Sequence, residues 1–185
     1  MYIWFGINVE EQLKDARMAV DRVFDKIDIS NVTCQLPLHI SLKISFNIEN
    51  LLFDSVLKDI IDVYNAQDPF EIKVKGIEKH ENIEWIRMHS NEHLEALATK
   101  LNMMLRDKYG VPLHEYDLDF IFHTTLFMDD DAEKINAAHA ILGNVHLPDT
   151  LVADTFVIGT SETGENGTYR VYKTVKKNGG LYEIN

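Results

Sequence analysis

Two short segments limit what this chain can fold into. Residues 38–43 read Leu-His-Ile-Ser-Leu-Lys, and residues 122–127 read Phe-His-Thr-Thr-Leu-Phe. Each sets a hydroxyl residue two places after a histidine and a leucine one place further on. Side chains at i and i+2 of a strand share a face, so both segments are read as strands with one buried face. In the first, Ile40, Leu42 and Ile44 form a wholly apolar face toward the core. His39, Ser41 and Lys43 then look away from it. In the second, His123, Thr125 and Phe127 share a face, opposite Phe122, Thr124, Leu126 and Met128. That split is less clean, because Phe127 falls on the histidine side and Thr124 on the core side.

The flanking pattern is mixed α and β. Residues 2–7 read as a buried strand, followed by an amphipathic helix with Asn8 as its N-cap. The strand around His39 is expected to begin near Thr33, with Pro37 at its start, where a missing N–H is tolerated. A helix follows with Leu52, Val56, Ile60 and Val63 in one stripe. Alternation on either side of Lys79-His80-Glu81-Asn82 predicts a hairpin. The next helix is capped by Ser90 and stopped by Gly110. Residues 118–128 read as a strand, and Asp129–Asp131 as a helix start. Residues 150–175 read as two strands joined by the glycine-rich turn at 162–168, and the tail as a loop or short last strand. Each histidine strand is thus followed by a helix and then hairpin-like strands, a weak internal duplication. With no linker, residues 1–185 are expected to form one domain of two duplicated lobes.

Composition narrows the partners. Hydrophobic residues are 45% of 185, ample for a core, and the formal net charge is −12. Duplex binding runs on Lys and Arg contacts to phosphate, so a DNA-coating role is excluded. A small phosphorylated ligand is not. Cys34 is the only cysteine, which rules out an intrachain disulfide and a cysteine-based zinc site, and suits a reducing cytoplasm. The apolar run at the N-terminus is too short for a signal peptide or membrane span.

Two imidazoles and two hydroxyls on facing strands suit phosphodiester cleavage. A neutral imidazole takes a proton from the attacking oxygen, a charged one gives a proton to the leaving oxygen, and hydroxyls hold the phosphoryl oxygens. Paired His-x-Ser/Thr-Leu motifs, "HISL" and "HTTL", resemble those of the two-histidine (2H) phosphoesterase superfamily, which includes the bacterial 2′-5′ RNA ligase and cyclic nucleotide phosphodiesterases. The resemblance implies an α+β, bilobed, pseudo-symmetric fold: two antiparallel sheets flanking a central cleft, with helices outside. It implies His39 and His123 as the acid/base pair and Ser41 and Thr125 as phosphate-binding hydroxyls, with no cofactor and no metal. Members often carry proline directly before the first histidine; here Leu38 stands there, with Pro37 one place earlier. The implied substrate is a 2′,3′-cyclic phosphate or 2′-5′ phosphodiester in a small nucleotide or an RNA end. A non-catalytic nucleotide-binding module and a reversible RNA ligase are the alternatives. Lys43, Phe127, Arg170 and Trp4 are further candidate substrate contacts, each with a plain structural reading beside it. Packing is favoured for Phe127, the core for Trp4 and a surface role for Arg170. His89 and His93 stand i, i+4 across a helix start with no third metal ligand apparent.

Overall fold

The computed structural model describes residues 1–30, 35–143, 145–177 and 181–182. Chain order is β1 (Tyr2–Asn8), α1 (Lys14–Phe24), β2 (His39–Asn47), α2 (Phe53–Asn65), β3 (Glu71–His80), β4 (Ile83–Met88), α3 (Glu92–Tyr109), β5 (His123–Met128), α4 (Ala132–Leu142), β6 (Thr150–Val152), β7 (Thr155–Ser161), β8 (Arg170–Lys176) and β9 (Leu181–Tyr182). Two antiparallel sheets result, one ordered β2-β1-β7-β8-β9 and the other β5-β4-β3-β6. The expected α+β fold of two antiparallel sheets with helices is thus observed. Each histidine strand is an edge strand, and β2 and β5 lie against one another between the sheets.

The core forms where α1 to α4 cover the sheets. On β1, Ile3, Phe5 and Ile7 enter the main apolar cluster while Trp4, between them, stays out of it. Alternation therefore aims Trp4 at the opposite face. From α2, Val56, Ile60 and Tyr64 join the cluster, and from α3 Leu94, Leu97, Leu101 and Leu105 do.

Local signals explain most boundaries. The Asp131 carboxylate accepts from the Glu133 and Lys134 amides and caps α4. Gly110, at φ +69°, ends α3 in the left-handed conformation that glycine takes without penalty. The cap of α3 is Asn91, which accepts from the Leu94 amide, and not Ser90, which donates to Glu95 instead. Asn8 is not the N-cap of α1 that the sequence suggests: its Oδ1 accepts from the Glu10 amide, Val9 is the N-cap of a short 3-10 turn at Glu10–Gln12, and α1 starts only at Lys14 after Leu13.

Three strand readings need correction. β2 starts at His39 and not near Thr33, the described residues 35–38 before it being no strand. β5 starts at His123, because residues 118–122 cross between elements without a strand ladder of their own. The segment 150–175 holds three strands: β6 pairs with β3 in the second sheet, while β7 and β8 extend the first. The downstream hairpin of each histidine strand therefore joins the opposite sheet. Thr33 and Cys34 lie outside the described residues.

Candidate active site

The edge strands bring His39, Ser41 and His123 to one cleft of about 470 Å³, while Thr125 is not among the residues that line it. His39, Ser41, Trp4, Trp85, His80 and His123 contribute to its walls. Thr125 is half-buried on the His123 face of β5, paired in register with Trp85.

The two histidines are held in the same way. The Nδ1 of His39 lies 2.7 Å from the Pro37 carbonyl oxygen, and that of His123 lies 2.6 Å from the Ile121 carbonyl oxygen. A carbonyl oxygen only accepts, so each Nδ1 carries the proton and donates it two residues back. Each ring is left with Nε2 for a ligand. Both rings also rest on an indole. Trp4 and His39 have centroids 4.2 Å apart at 30°, and Trp85 and His123 have centroids 4.2 Å apart at 39°. Trp4 lies on β1 beside β2, and Trp85 on β4 beside β5, so each sheet supplies one matched shelf. On the second shelf His80 also stacks on Trp85, at 4.7 Å and nearly parallel at 7°.

The approach to His39 is fixed from below. Glu10 accepts from the Leu38 amide at 2.6 Å and from Arg17 at 2.9 Å, while Arg17 also donates to the Leu36 carbonyl. That network sets the course of the chain through Pro37, whose carbonyl orients the ring.

Burial penalises the charged form of both imidazoles. It pushes His39 down to about 4, helped by the nearby charge of His123. His123 is also lowered, first by burial and then by His80. The hydrogen bonds to the backbone carbonyls favour the charged forms and oppose these shifts.

Beyond each hydroxyl residue the strand bulges. Gly6 pairs with Ser41 but Phe5 with Lys43, leaving one extra residue in β2. Trp85 pairs with Thr125 but Glu84 with Phe127, leaving one extra residue in β5 at the equivalent place. A bulge reverses which face the following side chains take. The expectation that Lys43 and Phe127 share the histidines' face is therefore corrected: Phe127 packs in the core, the reading favoured for it, and Lys43 borders the cleft but turns its ammonium to Asp117. Phe127 is fully buried in the core and packs edge-on against Phe24 at 6.4 Å. The Lys43 ammonium is 2.6 Å from the Asp117 carboxylate and also donates to Asn102 Oδ1 at 3.0 Å and to the Pro112 carbonyl at 3.3 Å. The two side chains are 2% and 0% exposed, so this cation is satisfied within the protein. Arg170 is likewise occupied: its guanidinium donates to Gln35, the Gly167 carbonyl and the Tyr169 carbonyl, away from the cleft. Its neighbour Tyr169 is the residue of that pair that reaches the cleft wall, its hydroxyl bonded to Ser45.

Sequence reasoning passes over Trp85, His80 and Tyr169. A signal for Trp85 exists: it precedes the second histidine strand across one helix, as Trp4 precedes the first. His93, instead of a metal ligand, stacks on Phe70 at 5.5 Å.

Trp4 depends on a glycine. Gly159 lies opposite Trp4 in register, and a Cβ there would sit 2.1 Å from the indole Nε1. Gly159→Ala is expected to displace the ring, costing about 1–3 kcal/mol in stability as an overpacked site. Once the variant is held below its melting range, ligands of the cleft are expected to bind more weakly, because His39 has lost its shelf. Thermal melts and binding titrations read the two effects separately. Wild-type values for both would show that the indole is not needed where it lies.

Comparisons with known proteins agree with this architecture. The family model described as the 2′-5′ RNA ligase superfamily matches residues 10–164. A search of curated proteins gives no match. Among solved structures, the Escherichia coli LigT complex with 3′-AMP superposes with a TM-score of 0.60 at 15% identity, covering 96% of this chain and 98% of that one. The protein TT0787 of Thermus thermophilus gives 0.56 at 15% identity, covering 97% and 99%. A protein described as a phosphoesterase gives 0.58 at 15%, covering 94% and 96%.

Proposed function

The chain belongs to the 2′-5′ RNA ligase superfamily, and from that premise we propose that it is a phosphodiesterase that works by two-histidine acid/base catalysis without a metal. Its proposed substrates carry a 2′,3′-cyclic phosphate or a 2′-5′ phosphodiester in a small nucleotide or at an RNA end. The observation that carries this reading is the matched tethering of His39 and His123, each with Nδ1 bound to a carbonyl and Nε2 left for the cleft. In this reading one neutral imidazole takes the proton of the attacking water or ribose hydroxyl. The other, protonated, gives its proton to the leaving ribose oxygen. Ser41 and Thr125 donate to the non-bridging oxygens and hold the charge that develops on them. LigT structures with 3′-AMP, NADP+ and ATP support a nucleotide as the ligand class.

The test is hydrolysis of the four nucleoside 2′,3′-cyclic phosphates in excess EDTA. Turnover of at least one, with a single regioisomeric monophosphate as product, is expected, and the product identifies the leaving oxygen. Nucleotide binding without any product would turn the reading to a binding module. Turnover abolished by EDTA and restored by a divalent ion would overturn the metal-free chemistry.

A further inference from the structure

Among the described residues, the cleft carries two histidines for proton transfer but no free cation to hold added phosphate. Its one lysine, Lys43, is neutralised by Asp117 at 2.6 Å. Arg17, whose charge acts on His39, is paired with Glu10 at 2.9 Å. The remaining charged groups on the wall are carboxylates. Glu81 lies at the β3–β4 turn and Asp119 on the α3–β5 connection; both are exposed at the mouth. Glu81 is held there at φ +52°, a conformation that non-glycine residues seldom take, so the turn fixes its place. A second cavity shares Leu36 and Tyr169 with the cleft, and Asp129 and Asp130 line it. A ligand extending from the cleft in that direction also meets negative charge.

We infer, building on the phosphodiesterase reading, that the cleft selects substrates whose only negative charge is the diester being cleaved, and that Glu81 and Asp119 reject a second phosphate. Such a substrate is a nucleoside 2′,3′-cyclic phosphate or a 2′-5′-linked dinucleoside monophosphate with free hydroxyl ends. A 5′-phosphate or an adjoining internucleotide phosphate adds charge facing carboxylates with no cation to offset it. The same rule acts on product. Opening the ring turns a monoanionic diester into a monoester that ionises a second time near pH 6, so hydrolysis creates the charge that favours release.

Two measurements test this. Calorimetry on the intact protein compares deoxyuridine 3′-(methyl phosphate), which has no 2′-hydroxyl to attack, with its 5′-phosphorylated form. Turnover is compared for uridine 2′,3′-cyclic phosphate with and without a 5′-phosphate. In 20 mM salt the 5′-phosphate is expected to weaken both binding and kcat/KM about tenfold, the scale of a few charge pairs at a solvated surface. The ratio is expected to shrink to about threefold or less at 0.5 M salt, where screening is short-ranged. Glu81→Gln with Asp119→Asn is expected to shrink it similarly. Equal affinity for the two analogues would overturn the inference, as would a preference that neither salt nor neutralisation alters; turnover of the cyclic phosphate would then leave the phosphodiesterase reading standing. Discrimination in binding with no turnover of either cyclic phosphate would retain the charge rule and remove the phosphodiesterase reading. Binding of neither analogue would remove both.

Discussion

Replacing either His39 or His123 with alanine is expected to lower kcat for cyclic phosphate hydrolysis by about a thousandfold, within the span of general acid/base contributions. The double replacement is expected to cost little more than one, since two groups acting on one proton-transfer sequence are not additive. pH dependence follows from the cause of the shifts. Burial disfavours both imidazolium forms, with His39 pushed down to about 4 and His123 below the ordinary histidine value. At neutral pH both rings are therefore mostly uncharged, which suits the base and starves the acid. Lowering the pH supplies the acid until the base also protonates. The kcat/KM profile is expected to peak on the acid side of neutrality, above about 4 and below the usual imidazole value of about 6.5. Rates at half-unit steps from pH 4 to 8.5 would show it. A profile rising to pH 8, or either alanine variant within tenfold of wild type, would remove the two-histidine mechanism.

The largest stability effect is expected at Asp117. Its carboxylate is fully buried; besides Lys43 it accepts from the His114 amide at 2.8 Å, and it is 3.4 Å from the Ile44 amide. Asp117→Ala would strand the Lys43 ammonium in the interior, a loss of about 3–5 kcal/mol. For a domain of this size each kcal/mol shifts Tm by roughly 2–4 °C. Removing both charges, as in Lys43→Met with Asp117→Leu, is expected to recover most of that loss, because no unpaired charge remains. The pair also ties β2 to the connection that bears Tyr116, Asp119 and Phe120, so the single variant should also lose affinity for ligands in the cleft. A melt of Asp117→Ala within 3 °C of wild type, checked against the about 2–4 °C expected per kcal/mol, would show that the buried pair contributes little.

The sequence is legible where a side chain's role follows from its phase. His39 and Ser41, like His123 and Thr125, share a face by strand period alone, and Asp131 and Gly110 announce a helix start and stop. Phase fails where the backbone gains a residue. A bulge has no letter of its own, so alternation carries Lys43 and Phe127 into the cleft one step beyond where it holds. Partners across strands are also hidden. Only the matched order of tryptophan, helix and histidine strand points to Trp85, and register decides its meeting with His123. Arg170 and Tyr169 show the same limit at one remove: adjacent residues, of which only the tyrosine faces the cleft.

The two indole shelves have an optical consequence. The chain has two tryptophans, and each lies against one of the cleft histidines. All of its indole fluorescence therefore originates within the cleft. Charging an imidazole or seating a nucleobase alters the surroundings of a fluorophore directly, with no background from indoles elsewhere. Unlabelled protein thus carries its own reporter, one per half-site, and exchanging either tryptophan for phenylalanine would let each half be observed alone.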